Sequence, residues 1–263
     1  MPQSLIPIEN FFPKGVKAYY STRYDGFSKG KFSSLNLSLN VGDDENFVLK
    51  NRAAVEKKIN CSLYWLKQVH SATILEIDSA LSLKNTIAIK EADASFVSVD
   101  CKGSVILTAD CLPILVSSAN GELVGAIHCG RLGLLTGIIP AFFNAFLAHT
   151  KSVIHSSYSE LTYIWLGPCI ERSNYEVNGE IEKEFLSKEE SYKNAFSYDG
   201  SSIWMDIRTI ALYQIKQFFD KRSKEKKILS NSLCTFKNPD LFFSYRRDKQ
   251  TGRFASLIFK NNT

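Results

Sequence analysis

Histidine is scarce in this sequence, with four residues in 263, and its six cysteines include no Cys-x-x-Cys pair. Four histidines cannot feed the several copper centres of a multicopper oxidase. Cysteines without a paired framework, mostly in apolar surroundings, suit reduced thiols in a cytosol better than a secreted disulfide scaffold. No apolar run reaches membrane-spanning length. The opening stretch MPQSLIPIENFFPKG has no basic segment followed by a continuous apolar one, as a secretory signal would. A cytoplasmic protein with no membrane partner is expected. No proline- or serine-rich linker and no internal repeat is visible, which points to one domain over residues 1–263. The charge excess is only +5. Basic residues are scattered except in the run from Lys221 to Lys227, which reads as a solvated loop after a helix and not as a nucleic-acid surface.

The content that is present is that of an ordinary globular chain, 44% apolar and 22% charged. Its centre is the stretch SVILTADCLPILVSSANGELVGAIHCG, from Ser104 to Gly130. Apolar strands flank Asn120-Gly121, a dipeptide suited to a type I′ turn because both central residues need positive φ. With those two residues at the turn, Pro113 lies opposite His128. Cys111 shares a face with position 113, since side chains repeat every two residues along a strand. Cys111 and His128 become diagonal neighbours roughly 7–8 Å apart. One metal ion can bridge that gap, with bonds of about 2.3 Å to sulfur and about 2.0–2.1 Å to nitrogen.

The remaining chain alternates strands and helices. Strands are expected at 18–22, 63–69, 73–77, 87–90, 94–99, 161–166, 241–245 and 254–259. Helices are expected at 45–60, with Val48, Arg52, Val55 and Ile59 on one stripe, at 134–149 with a kink at Pro140, at 180–187, and after the cap Asp206. A polar turn from Arg246 to Gly252 would join the last two strands. Strands outnumber helices and several are joined by hairpins, so the class is α+β and not a doubly wound parallel sheet.

Two histidines have plain structural explanations. His149 ends a helix, and His155 lies in a loop. His70 and His128 each end an apolar strand beside small or polar residues. With Cys111 they make two imidazoles and a thiolate around an open fourth position, a set that suits catalytic zinc. Arg246, Arg247 and Arg253 surround a turn and could clamp a phosphate or carboxylate. Arg23 is a further candidate of that kind. Gly130 and Gly133 precede a helix and could bring backbone N–H groups toward an anion. Asp93 and Asp110 are candidates for orienting a ligand imidazole.

Several segments together resemble the YfiH family, also called the polyphenol-oxidase (laccase) domain family. They are Ser21-Thr22-Arg23, Leu35-Asn36-Leu37, Asn40-Val41-Gly42-Asp43-Asp44, Asn51-Arg52, Lys67-Gln68-Val69-His70, Ala92-Asp93-Ala94 and Thr108-Ala109-Asp110-Cys111-Leu112-Pro113. Ile127-His128, Leu166-Gly167-Pro168, Tyr175-Glu176-Val177, Cys234-Thr235 and Phe243-Ser244-Tyr245-Arg246-Arg247-Asp248 follow in the family's order. The resemblance implies a zinc held by His70, Cys111 and His128, and a layered α/β/β/α sandwich with mixed sheets. It implies phosphorolysis of purine nucleosides, with nucleoside and phosphate as small-molecule partners and adenosine deamination as a second activity. Cys111 and His128 would be the catalytic pair, and Arg23, Asn36, Arg131, Arg246, Arg247 and Arg253 the substrate-binding set, in a chain expected to be monomeric. Two other readings stand beside it. One is a hydrolase with Cys111 as nucleophile and His128 as its base, acting on an amide such as a cell-wall precursor. The other is a zinc-stabilised binding protein without catalysis. One departure bears on the substrate. Where the family reads His-Ala-Gly-Trp-Arg-Gly, this chain reads His128-Cys129-Gly130-Arg131-Leu132-Gly133, so the arginine position holds Leu132.

Overall fold

The computed structural model describes residues 3–78, 90–153 and 161–261. The strand expected at 87–90 and the loop holding His155 fall largely or wholly outside them. Two large sheets are stacked. One has five strands in the order β1 (Leu5–Pro7), β2 (Val16–Ser21), β14 (Phe254–Lys260), β6 (Lys102–Thr108) and β3 (Ser62–Trp65). The other has six, in the order β13 (Lys226–Ser230), β9 (Thr162–Leu166), β7 (Leu112–Ser118), β8 (Val124–Cys129), β5 (Ala94–Val97) and β4 (Ile74–Ile77). Both mix parallel and antiparallel pairs. A small third sheet has the order β10 (Glu176–Val177), β12 (Ser202–Met205) and β11 (Phe196–Asp199), and α4 (Gly179–Lys188) lies between β10 and β11 in the chain.

Alternation along the strands divides the core. Leu115, Val124, Ala126 and Trp165 of the six-stranded sheet meet Ile106 and Ile258 of the five-stranded one. Their neighbours Ile114, Val116, Ile127 and Ile164 face the opposite way, into a cluster with Phe142, Phe143, Phe146, Ile210 and Ile215. Those residues come from α3 (Ile138–Val153) and α5 (Ile207–Asp220). On the far side, α1 (Glu45–Ile59) sets Val55 against Leu63, Val105 and Leu257. The layers therefore run α/β/β/α, as the resemblance implies. Every residue of β7 and β8 is buried, because this sheet is covered on both faces. The helix caps read from sequence are present: Asp44 accepts from the N–H of Asn46, and Asp206 from those of Arg208 and Thr209.

Three local expectations are corrected. The β7–β8 register is as derived, with Pro113 opposite His128. The turn between them is wider, however. Ser118 and Leu123 close the loop, the N–H of Gly121 donates to the carbonyl of Ser118, and Gly121 takes φ 73° while Asn120 stays out of the positive region. The apolar stretch after Gly133 is not one helix kinked at Pro140. It is α2 (Arg131–Thr136) and α3, parted at Gly137, whose φ of 84° is left-handed. Pro140 is the third residue of α3, where no earlier turn needs its missing N–H. Residues 241–245 form no strand. They lead into α6 (Tyr245–Asp248), a single turn capped by Ser244, which replaces the polar hairpin turn expected there.

Candidate metal centre

The three expected ligands converge. One donor atom each from His70, Cys111 and His128 lie within 4.8 Å of one another, and the two imidazole centroids are 4.8 Å apart. Among the described residues this is the group of three or more such side chains that could hold a metal ion. His128 is delivered by β8, on the same strand face as Val124 and Ala126, at the open end of the layer between the sheets. Cys111 precedes β7 and follows Asp110, whose φ is 99°. His70 lies in the loop between β3 and β4 with φ 61°. A non-glycine residue held at positive φ is uncommon and needs support from its surroundings.

Asp93 provides that support. It is fully buried, and its carboxylate accepts from the backbone N–H groups of Val69, His70 and Ser71 at 3.2, 2.9 and 2.6 Å. The Ser71 hydroxyl donates to it at 2.9 Å. Asp93 Oδ1 also lies 2.8 Å from His128 Nδ1, and the His128 N–H donates to the Asp93 carbonyl. One carboxylate thus holds the His70 loop and aims the other nitrogen of His128 at the cluster. Gly130 leaves room for it. A Cβ there would lie 3.0 Å from His70 Cδ2 and 3.1 Å from Cys111 Sγ.

The electrostatics follow from this packing. Burial alone would raise the Cys111 thiol, but the His128 and His70 imidazoles outweigh it and bring it down to about 6. Burial would lower His128, but Cys111 and Asp93 raise it to about 9. Burial would raise Asp93, but His128 and Ser71 lower it to about 2. A thiolate and two imidazoles with an oriented tautomer are a donor set that zinc accepts, and the residues present fit such an ion. His149 is engaged elsewhere, with Nδ1 3.0 Å from Glu76.

A cavity of about 430 Å³ opens onto the cluster, within the range of small-molecule sites, about 300–1,000 Å³. His70, Cys111 and His128 share its wall with Arg253, Arg52, Asn40 and Tyr245. The other sequence candidates go elsewhere. Arg23 donates to the carbonyls of Ser33 and Pro239 and lies over the Phe243 ring. Asn36 is buried and accepts from the N–H groups of Ser38 and Arg253. Arg131 lies 3.5 Å from Glu184. Arg246 donates to the Glu176 carbonyl, and Arg247 to those of Thr235, Phe236 and Phe242. Asp110 touches neither imidazole. It accepts from Thr235 Oγ1 and from the Arg246 N–H. Gly133 packs against Ile138.

Arg52 was not singled out by sequence, although the signal was there: an arginine on the apolar stripe of α1. It is 1% exposed, donates to the Leu37 carbonyl and stacks over Trp65.

Fold and site together define a class: stacked mixed sheets between helices, with a two-imidazole, one-thiolate cluster where the sheets end. The chain belongs to the laccase-domain (YfiH) family, whose model, described as multi-copper polyphenol oxidoreductase laccase, matches residues 17–261. It is 33% identical over 249 residues to a purine nucleoside phosphorylase of Pseudomonas aeruginosa, covering 94% of each chain. It is 32% identical over 249 residues to the purine nucleoside phosphorylase YfiH of Escherichia coli, covering 94% of this chain and 95% of that one. A Neisseria meningitidis protein structure superposes with a TM-score of 0.82 at 28% identity, over 99% of this chain and 100% of that one. The YfiH structure of Bacillus licheniformis gives 0.87 over 99% and 97%, at 23% identity, a likeness of fold. Among the described residues no helix is long and apolar enough to cross a membrane.

Proposed function

We propose that this protein is a zinc-dependent purine nucleoside phosphorylase of the cytosol, converting a purine nucleoside and phosphate to the free base and ribose 1-phosphate. The observation that carries this reading is the meeting of His70, Cys111 and His128 on the wall of a cavity that also holds Arg253 and Arg52. The names of the relatives support the substrate class. His70, Cys111 and His128 would hold the ion, which would supply a Lewis acid there. Arg253 spends one nitrogen on the carbonyls of Thr251 and Gly252 and stays close enough to Cys111 to feel its charge. Arg253 and Arg52, which both line the cavity, would anchor the phosphate. Leu132 contributes no anion contact, and Arg131, tied to Glu184, does not replace the missing arginine. Asp93 orients His128 and holds the His70 loop.

A second reading has its own observation. Cys111, His128 and Asp93 line up as thiolate, imidazolium and carboxylate, the arrangement of a cysteine hydrolase. Chelation separates the two. Purified protein is incubated with phosphate and a panel of purine nucleosides, and bases and ribose 1-phosphate are followed by chromatography. Phosphate-dependent release of base, lost with EDTA and restored by zinc, is expected. The same chromatograms report inosine formed from adenosine. Amide hydrolysis that survives or rises with EDTA, without any phosphorolysis, would replace the phosphorylase by the hydrolase.

A further inference from the structure

The single-turn helix α6 is held with unusual firmness for an element of four residues. Ser244, fully buried, caps it by accepting from the Arg247 N–H. The Arg247 side chain donates to three carbonyls and pairs with Asp248. The N–H of Arg246 donates to Asp110 Oδ2 at 2.7 Å, and Asp110 directly precedes the metal ligand Cys111. The Arg246 side chain reaches the Glu176 carbonyl and lies over the Tyr175 ring. Phe242 and Phe243 anchor the approach as fully buried rings. All of these contacts fix the residue between Ser244 and Arg246, and that residue makes little use of them. Tyr245 leaves its side chain 54% exposed on the cavity wall.

An aromatic ring held on a rigid mount in a cavity wall is preorganised for a planar ligand, since little side-chain freedom is left to lose on binding. The chemistry around it says what kind. The Arg253 guanidinium carbon lies 5.9 Å from the Tyr245 ring centroid. Val41, Leu66, Leu107 and Ala109 give the same cavity apolar lining. A flat, apolar-faced group attached to a polar one fits this distribution, with the ring against tyrosine and the anion beside arginine.

We infer that Tyr245 is the stacking platform for the heterocyclic base, held at a set distance from the metal ligands by the Asp110 link. This rests on the phosphorylase reading for its substrate and goes beyond it in naming the residue that recognises the aglycone. Stacking needs a π-face, so the role passes to phenylalanine and not to alanine or leucine.

The test uses the zinc-loaded protein with Tyr245→Ala, Tyr245→Leu and Tyr245→Phe. Binding of adenosine without phosphate is measured by calorimetry, and KM for nucleoside and for phosphate by turnover. Tyr245→Ala and Tyr245→Leu are expected to weaken adenosine binding about tenfold. Bound zinc and KM for phosphate should stay as in the parent, and Tyr245→Phe should retain parent affinity. Unchanged adenosine affinity in Tyr245→Ala overturns the inference, as does a parent protein that binds no adenosine, or a Tyr245→Phe as weak as alanine. A parent that binds adenosine through Tyr245 yet releases no base would sink the phosphorylase reading and leave the platform standing.

Discussion

At the scale of single residues, the candidate centre depends on a missing side chain as much as on its ligands. Gly130 has φ −82°, a conformation open to any residue. Its constraint is space, since a methyl group would press on His70 and Cys111 together. Gly130→Ala is expected to keep the fold, seen as unchanged far-ultraviolet circular dichroism, and to weaken zinc binding by about tenfold or more in a chelator competition. Equal affinity would show that the ligands have slack the packing denies. Asp93 is the complementary case, a buried charge kept because four donors and an imidazole surround it. Its type was readable from the Ala92-Asp93-Ala94 segment. Its double attachment was not, because the two partners come from chain positions more than twenty residues away on either side.

Among the elements, α3 and the β7–β8 hairpin were the most legible. Continuous apolar sequence marks a strand covered on both faces, as β7 and β8 are, and in α3 it supplies the buried face of Ile138, Ile139, Phe142, Phe143 and Phe146, while Asn144 and Ala148 stay exposed. Phe142 stacks on Phe146 and meets Phe96 and Phe143 edge-on, fully buried beneath the six-stranded sheet. Phe142→Ala should destabilise the protein by about 3–5 kcal/mol in urea unfolding, because the neighbouring rings cannot close the cavity it leaves. A loss below about 1 kcal/mol would mean that the layer repacks. The breaks between elements were harder to read. Gly137 ends α2 by taking a left-handed conformation that costs glycine little. Pro140, the stronger signal in the sequence, proved compatible with the first turn of α3. Residues 241–245 looked like a strand because they are apolar and aromatic. Phe242 and Phe243 are apolar for another reason, filling a pocket with Ala109 and Phe254.

For the molecule as a whole, the proton balance of the site sets how it responds to pH. Asp93, held at about 2, adds stability that is fully present above the ordinary carboxylate range and disappears as pH falls through about 2. His128, raised to about 9, adds stability that is fully present below its ordinary 6.5 and disappears as pH rises through about 9. Metal uptake runs against the second of these. Between about 6 and 9 Cys111 is already a thiolate, while His128 still carries a proton that an arriving ion must displace. Zinc affinity should therefore rise about tenfold per pH unit across that window, with about one proton released per ion. Calorimetry in buffers of different ionisation enthalpy measures that proton directly. A pH-independent affinity would mean that the pair has already lost that proton before the metal binds.

Taken alone, the amino-acid order determined the properties that depend on short-range pattern. Period-two alternation around Asn120-Gly121 set Pro113 opposite His128, and side-chain acceptors at Asp44 and Asp206 marked where helices begin. The scarcity of histidine narrowed the metal chemistry. Only the tertiary structure decided which polar groups share the cavity. Arg52 and Arg253 reach its wall, whereas Arg23, Arg246 and Arg247 turn to backbone carbonyls. The reason is geometric. A long guanidinium side chain takes whichever acceptors surround it, and those acceptors belong to strands and loops that meet only when the two sheets are stacked.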